Sequence, residues 1–271
     1  MSPASRRCRR LPAAPAVLAV LLFLAAPALG MSFPGVPIEA GDQVTSGIDP
    51  AGDEDRFEFD GVAGGKLSVT LAPAKGSELL PSLRLYAPDG SEISTDGFVR
   101  VKKGRVVLRK LPLPVSGRYG LSVAGGDGTT GGYVLKTKAA WPKKLSARRE
   151  PLGAGETIDF AIPSLPGLVV KVKIRERGEG GFEPIAFLTP DGEDLPDALA
   201  LLTRKKTTVK GTLTLGRGPG DYVLRIGSAS AATELDVTVK CRYPRPLRRR
   251  IELSPLEPAI TAFDPPNGWD G

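Results

Sequence analysis

The chain has 271 residues, with 37 Lys and Arg against 30 Asp and Glu, and no histidine. That last count excludes a Ser-His-Asp triad, a Cys-His pair, an H-E-x-x-H zinc site and any histidine proton relay. Gly and Pro together supply 59 of the 271 residues, well above the usual share of about 12%, without the three-residue period of collagen.

The first thirty residues read as a leader rather than as fold. Arg6, Arg7, Arg9 and Arg10 are followed by the charge-free run LPAAPAVLAVLLFL, and Ala28-Leu29-Gly30 places small residues at a cleavage site. This pattern predicts a signal peptide over residues 1–30, cut after Gly30 or, as the second choice, after Ala28. The alternative is an uncleaved anchor, because residues 11–38 carry no charge and could span a bilayer. Pro12, Pro15 and Pro27 count against such a helix. Removing the leader takes four Arg and no acid, which lowers the net charge from +7 to +3. The basic balance therefore gives no support for nucleic-acid binding. Cys8 leaves as well, so Cys241 stands alone, either buried or paired with another chain, and its place at the end of an apolar-alternating segment favours burial.

After the leader the chain reads as strands. Residues 66–71 alternate, with Leu67, Val69 and Leu71 on one face. Residues 82–86 do the same with Leu83 and Leu85, and residues 117–123 with Tyr119, Leu121 and Val123. Period two with a polar opposite face predicts half-buried antiparallel strands. Residues 105–111 and 132–138 are further strand candidates. Turn signals stand between them, at Ala63-Gly64-Gly65, Pro88-Asp89-Gly90, Lys103-Gly104 and residues 125–132. A brief helix is expected only over residues 197–202, with Asp197 as its cap.

The chain is also written twice. RFEFDGVAGGKLSVTL from Arg56 aligns with DFAIPSLPGLVVKVKI from Asp159 at a shift of 103, placing Phe57 on Phe160 and Leu67 on Val170. Pro88-Asp89-Gly90 matches Pro190-Asp191-Gly192 at a shift of 102, and Tyr119 falls on Tyr222. The prediction is an all-β protein: two tandem antiparallel β-sandwich, jelly-roll-like domains after a signal peptide. The expected boundaries are 34–138 for the first, 139–147 for a linker, 148–243 for the second and 244–271 for a Pro-rich tail. Setting GDQVTSGIDPAGDEDRFEF against GETIDFAI leaves about eleven residues missing from the second copy. On that alignment its opening strand is lost or reduced and its acidic turn is absent.

Three stretches of the first copy, GDEDRFEFDGVAGGKLSVTL, SLRLYAPDGSEI and SGRYGLSVAGGDGTTGGYVLKTK, occur in an order and spacing that resemble the bacterial pre-peptidase C-terminal (PPC) domain family. The second copy resembles a divergent member, keeping the Pro-Asp-Gly turn and the Gly-x-Tyr-type strand. The resemblance implies β-sandwich accessory modules on exported proteins, not themselves catalytic. Related collagenase modules bind calcium and extracellular polymers. No catalytic domain is expected ahead of the modules, a departure from that family's common layout.

Candidate sites are few. Asp49, Asp53 and Asp55, with Glu54, form the densest acidic group, and a turn carrying carboxylates and carbonyls suits calcium. The competing reading is a solvated turn whose Asp side chains cap backbone N–H groups. No catalytic residue and no other cofactor is predicted. Tyr119 and Tyr222 are expected to pack in the core or brace a corner. Trp141 is placed to wedge between the modules, while Lys143, Lys144, Arg148 and Arg149 read as a solvated linker. The tail has two equal readings: Arg245 and Arg248–Arg250 meet an anionic surface or polymer, or the tail lies extended on the second module, anchored by Ile251, Leu253 or Phe263; Trp269 hints at docking. The function expected is an exported non-catalytic binding or scaffold protein, or else an accessory subunit of an exported protease or other hydrolase. Its partner would be an extracellular or periplasmic protein or a cell-surface polymer. Nucleic acid is not expected, and membrane is expected only if the leader stays uncut.

Overall fold

The computed structural model describes residues 35–228 and 231–253. The expected leader, Phe263 and Trp269 lie outside the described residues. The first half of the chain contains β1 (Val36–Pro37), β2 (Gln43–Ile48), β3 (Glu54–Gly61), β4 (Lys66–Pro73), β5 (Pro81–Tyr86), β6 (Val99–Lys102), β7 (Arg105–Pro112), β8 (Gly117–Gly125) and β9 (Gly131–Ala140). The second half contains β10 (Lys144–Leu152), β11 (Thr157–Ser164), β12 (Leu168–Glu176), β13 (Phe182–Leu188), α1 (Pro196–Ala200), β14 (Thr203–Lys205), β15 (Thr208–Leu215), β16 (Gly220–Ser228) and β17 (Thr233–Arg242). A last strand, β18 (Arg250–Glu252), follows. The protein is all-β, as the alternating pattern predicts.

The strands make four sheets, ordered β1-β3-β8-β5, β18-β2-β9-β4-β7-β6, β10-β17-β12-β15-β14 and β11-β16-β13. The buried side chains fall into two separate clusters. One joins the first two sheets around Phe57, Leu67, Tyr119 and Leu135, and the other joins the last two around Ile162, Val170, Tyr222 and Val237. Each half is therefore a sandwich with its own core, built because successive side chains point to opposite faces and the apolar set of each sheet turns inward.

The two halves share strand order and register. Phe57 lies opposite Leu121 and Phe160 opposite Leu224. Phe59 faces Tyr119 and Ile162 faces Tyr222. Leu67 stands between Leu111 and Ala139, as Val170 stands between Leu213 and Cys241. The Pro-Asp-Gly turns also repeat, with Gly90 and Gly192 both at φ 83°. Pro88 lies so close to Gly117 that a Cβ there would sit 2.7 Å from the ring, and Pro190 approaches Gly220 to 2.6 Å in the same way. Only glycine accepts that approach.

Three expectations are corrected. The second copy does not lose its opening strand. β10 pairs with β17 as β2 pairs with β9, so the alignment that removed about eleven residues was misplaced. The true counterpart of the acidic turn is Gly153-Ala154-Gly155-Glu156, where Glu156 takes the N–H of Gly153 at 3.0 Å. Second, the linker expected over 139–147 is mostly strand, because β9 runs to Ala140 and β10 starts at Lys144. Charge and proline obscured this strand: only Leu145 and Ala147 alternate inward before a bulge between Ala147 and Glu150 breaks the pattern. Third, α1 starts at Pro196 with no side-chain cap, and Asp197 sits in its first turn.

Candidate functional site

The two sandwiches meet around Trp141. Its indole covers Gly65, where a Cβ would lie 2.7 Å from the ring, and its centroid is 6.2 Å from that of Tyr243. Gly65 belongs to the first half and Tyr243 to the end of the second, so Trp141 occupies the junction as its position predicts. Tyr243 donates its hydroxyl hydrogen to the Pro163 carbonyl at 2.8 Å, which fixes the ring. A further bridge runs from the Ser116 hydroxyl to the Asp221 carboxylate at 2.5 Å.

The described part of the tail, to Leu253, does not anchor on the second half. It turns back to the first, where β18 adds to the outer edge of β2 in parallel, with Ile251 opposite Val44. Gln43 N–H donates to the Arg249 carbonyl and Leu253 N–H to the Thr45 carbonyl, both at 2.9 Å. Ile251 and Leu253 are the expected anchors, but they pack against the first core. Asp42 decides this choice, since its fully buried carboxylate takes the Arg249 guanidinium at 2.7 Å. Burial alone would raise the Asp42 carboxyl. Hydrogen bonds from the Arg249 side chain and from the backbone N–H groups of Glu39 and Arg249 outweigh it and hold the carboxyl below its ordinary value. In the second half the position matching Asp42 is Leu145, which carries no charge to hold a strand.

This return shapes a groove of about 370 Å³ between the halves. Its walls include Ile38, Trp141, Pro166, Pro244 and Pro246, with Glu39 and Asp60 as its acids. Burial raises Asp60, only partly opposed by Arg118 at 3.5 Å, and Glu39 adds to the rise. An apolar wall with a few polar groups is the usual composition of a ligand cleft.

The acidic turn does not gather. Asp53 accepts the N–H of Glu54 at 2.9 Å, which is the capping role. Asp55 turns inward, taking hydrogen bonds from Tyr133 at 2.5 Å and Ser46 at 3.0 Å. Burial raises its carboxyl above the ordinary value. Asp49 precedes a cis Pro50. Among the described residues no group of three or more His, Cys, Asp or Glu is placed to hold a metal ion. Alternation places the Asp55 side chain on the inner face of β3 with Phe57 and Phe59, so the structure does not bring the carboxylates of Asp49, Asp53 and Asp55 together.

Tyr119 and Tyr222 brace corners. The Tyr119 hydroxyl donates to the Val115 carbonyl at 2.7 Å, and that of Tyr222 accepts the Arg217 N–H at 2.8 Å. Cys241 is buried in the second core, and burial pushes its thiol up. Among the described residues no helix is long and apolar enough to cross a membrane.

No family model matches the chain, and no curated protein matches it. Among solved structures it is similar to the periplasmic inhibitor of g-type lysozyme, PliG, of Salmonella Typhimurium, at 17% identity and a TM-score of 0.26. That match covers 40% of this chain and all of that one. It is similar also to a protein of Eubacterium rectale described as secreted, at 11% identity and a TM-score of 0.23, covering 69% and 68% of the two chains. Likenesses of this size carry no argument about what this chain binds.

Proposed function

We propose that this chain is an exported, non-catalytic binding or scaffold protein made of two PPC-like β-sandwich modules. The leader over residues 1–30 supports export. The observation that carries the binding reading is the joint between the modules. There the Asp42–Arg249 pair returns the tail to the first module, and the returned tail completes a proline-lined groove with Trp141 in its wall. Each core is filled by its own side chains, which leaves the groove, the edges and the outer faces for partners.

The test is fractionation of cells making the chain, with mass spectrometry of its N-terminus and crosslinked capture in the exported fraction. The exported chain should begin at Met31 or Leu29 and carry a cell-surface polymer. Capture of one exported hydrolase in near-equal amount would replace the scaffold role with that of an accessory subunit. An intact Met1 on membrane-bound chain would replace the cleaved leader with an anchor, and chain confined to the cytoplasm would overturn the proposal.

A further inference from the structure

The outer face of the sheet β10-β17-β12-β15-β14 carries a grid of cations. In one row Lys144 lies directly opposite Lys240, and Lys240 directly opposite Lys171. In the next row Lys173 lies opposite Lys210. Directly opposed side chains on one face sit about 5 Å apart, and like charges there cost stability. All five lysines are exposed, and among the described residues none of them is in an ion pair. Nothing in the fold requires this arrangement. The matching face of the first module has no such rows: its one opposed cation pair among the described residues, Lys102 and Arg105, closes the β6–β7 hairpin, while Lys136 lies opposite Gln43 and Thr70, and Lys138 opposite Ser68. Asp236, two positions from Thr238 along β17, is already held by Arg177 at 2.7 Å.

We infer that this face binds a linear acidic polysaccharide, its carboxylate or sulfate groups spread over the lysine rows. Charge complementarity selects a polyanion, because opposed lysines are relieved only by anions lying between them. The hydroxyls select its kind. Ser146 and Thr238 share the row of Lys173, and Thr212 that of Lys171, so each row of cations also carries groups that hydrogen-bond sugar hydroxyls. The outward positions of β10, β12, β15 and β17 hold no aromatic ring on which a nucleic-acid base could stack. Their apolar residues are the half-buried Val169 and, at the far end of β10, Pro151, so the face has no long apolar side chain to insert into a bilayer. The inference deepens the reading of the chain as an exported binding protein and names the polymer class.

The test is titration of the purified full chain with polygalacturonate and dextran sulfate. Neutral dextran, phosphatidylglycerol vesicles and a single-stranded oligodeoxynucleotide serve as comparisons. Both acidic polysaccharides should bind, dextran should not, and added salt should weaken binding steeply. Lys171→Thr with Lys240→Thr should reduce affinity roughly tenfold or more. The same pair should raise Tm, because it removes an opposed like charge, and the rise shows that the variant is folded. Lys136→Thr with Lys138→Thr on the first module should leave affinity nearly unchanged. The inference is overturned if the Lys171/Lys240 variant binds as the parent does, if dextran binds equally, or if the vesicle or oligonucleotide is preferred to both polysaccharides. Binding is measured outside the cell, so its loss would overturn this inference in any compartment, whereas retention of the chain in the cytoplasm would overturn only the export reading.

Discussion

Arg249 reaches back across 207 positions to enclose Asp42, giving its backbone N–H to Oδ1 at 2.9 Å and its Nε and Nη2 to Oδ2 at 3.1 and 2.7 Å. The pair joins the end of the described chain to its beginning. Edge strands invite pairing with other chains, and covering one is a common defence. Here the cover is the protein's own tail, guided by a buried carboxylate. The corresponding edge, β10, is blunted by other means: a bulge, a positive φ at Arg149, and an Arg149 N–H spent on Asp236 at 3.2 Å.

Arg249→Ala should release β18 and leave Asp42 buried without its cation, at a cost of about 2 kcal/mol. Exposed Arg250→Ala should change stability by less than about 0.5 kcal/mol. The folded Asp42 carboxyl lies below its ordinary value, so its contribution is complete above the unfolded value of about 3.9 and is lost as pH falls through the folded value. Thermal melts taken between about pH 5 and pH 2 should show a steeper loss for the parent than for Arg249→Ala. Hydrogen exchange at the Gln43 amide should speed up in the variant.

The Asp55–Tyr133–Ser46 cluster predicts an asymmetry. Tyr133→Phe leaves a buried carboxylate short of a donor and should cost about 1–3 kcal/mol. The folded Asp55 carboxyl is raised, so the fold favours its protonated form, and ionisation above the ordinary value costs stability. Asp55→Asn should therefore cost much less than Tyr133→Phe at neutral pH. The double variant should cost less than the two single changes added together, as chemical denaturation would show. Calcium and chelator should give the same melting curve.

Tyr119→Phe should lose about 1 kcal/mol by removing the bond that closes the corner at Val115. Burial is the main reason that the phenol is pushed up to about 12. A raised phenol favours the neutral folded form, so its contribution is full below about pH 10 and fades as pH rises toward the folded value. Ultraviolet titration of the parent should show a phenol ionising late that Tyr119→Phe lacks.

Gly117→Ala and Gly220→Ala test the repeat directly. Each added Cβ would meet a proline of its own module's turn, at 2.7 Å from Pro88 and 2.6 Å from Pro190. Overpacking of this kind costs about 1–3 kcal/mol. Gly117 also has φ +153°, so its variant should melt lower than that of Gly220.

Much of this protein is legible in its sequence because the signals are local. Alternation of Leu67, Val69 and Leu71 marks a strand whatever the strand pairs with, and the shift of 103 carries Phe57–Leu121 onto Phe160–Leu224. Trp141 and the buried Cys241 are readable for the same reason. What depends on pairing is not. Ile251 and Leu253 are identifiable as anchors, but their choice of the first module depends on Asp42, a single carboxylate over 200 positions away. Asp55 resembles its neighbours in an acidic turn until alternation on β3 turns it inward to Tyr133. The cation grid is invisible along the chain, because Lys144, Lys171 and Lys240 become neighbours only when three strands are set in register. Sequence alone determined the strands and the repeat, since these follow from the period and composition of contiguous residues. The clasp, the groove and the charged face were decided by tertiary structure, because each comes from residues that share a surface only after long-range β pairing.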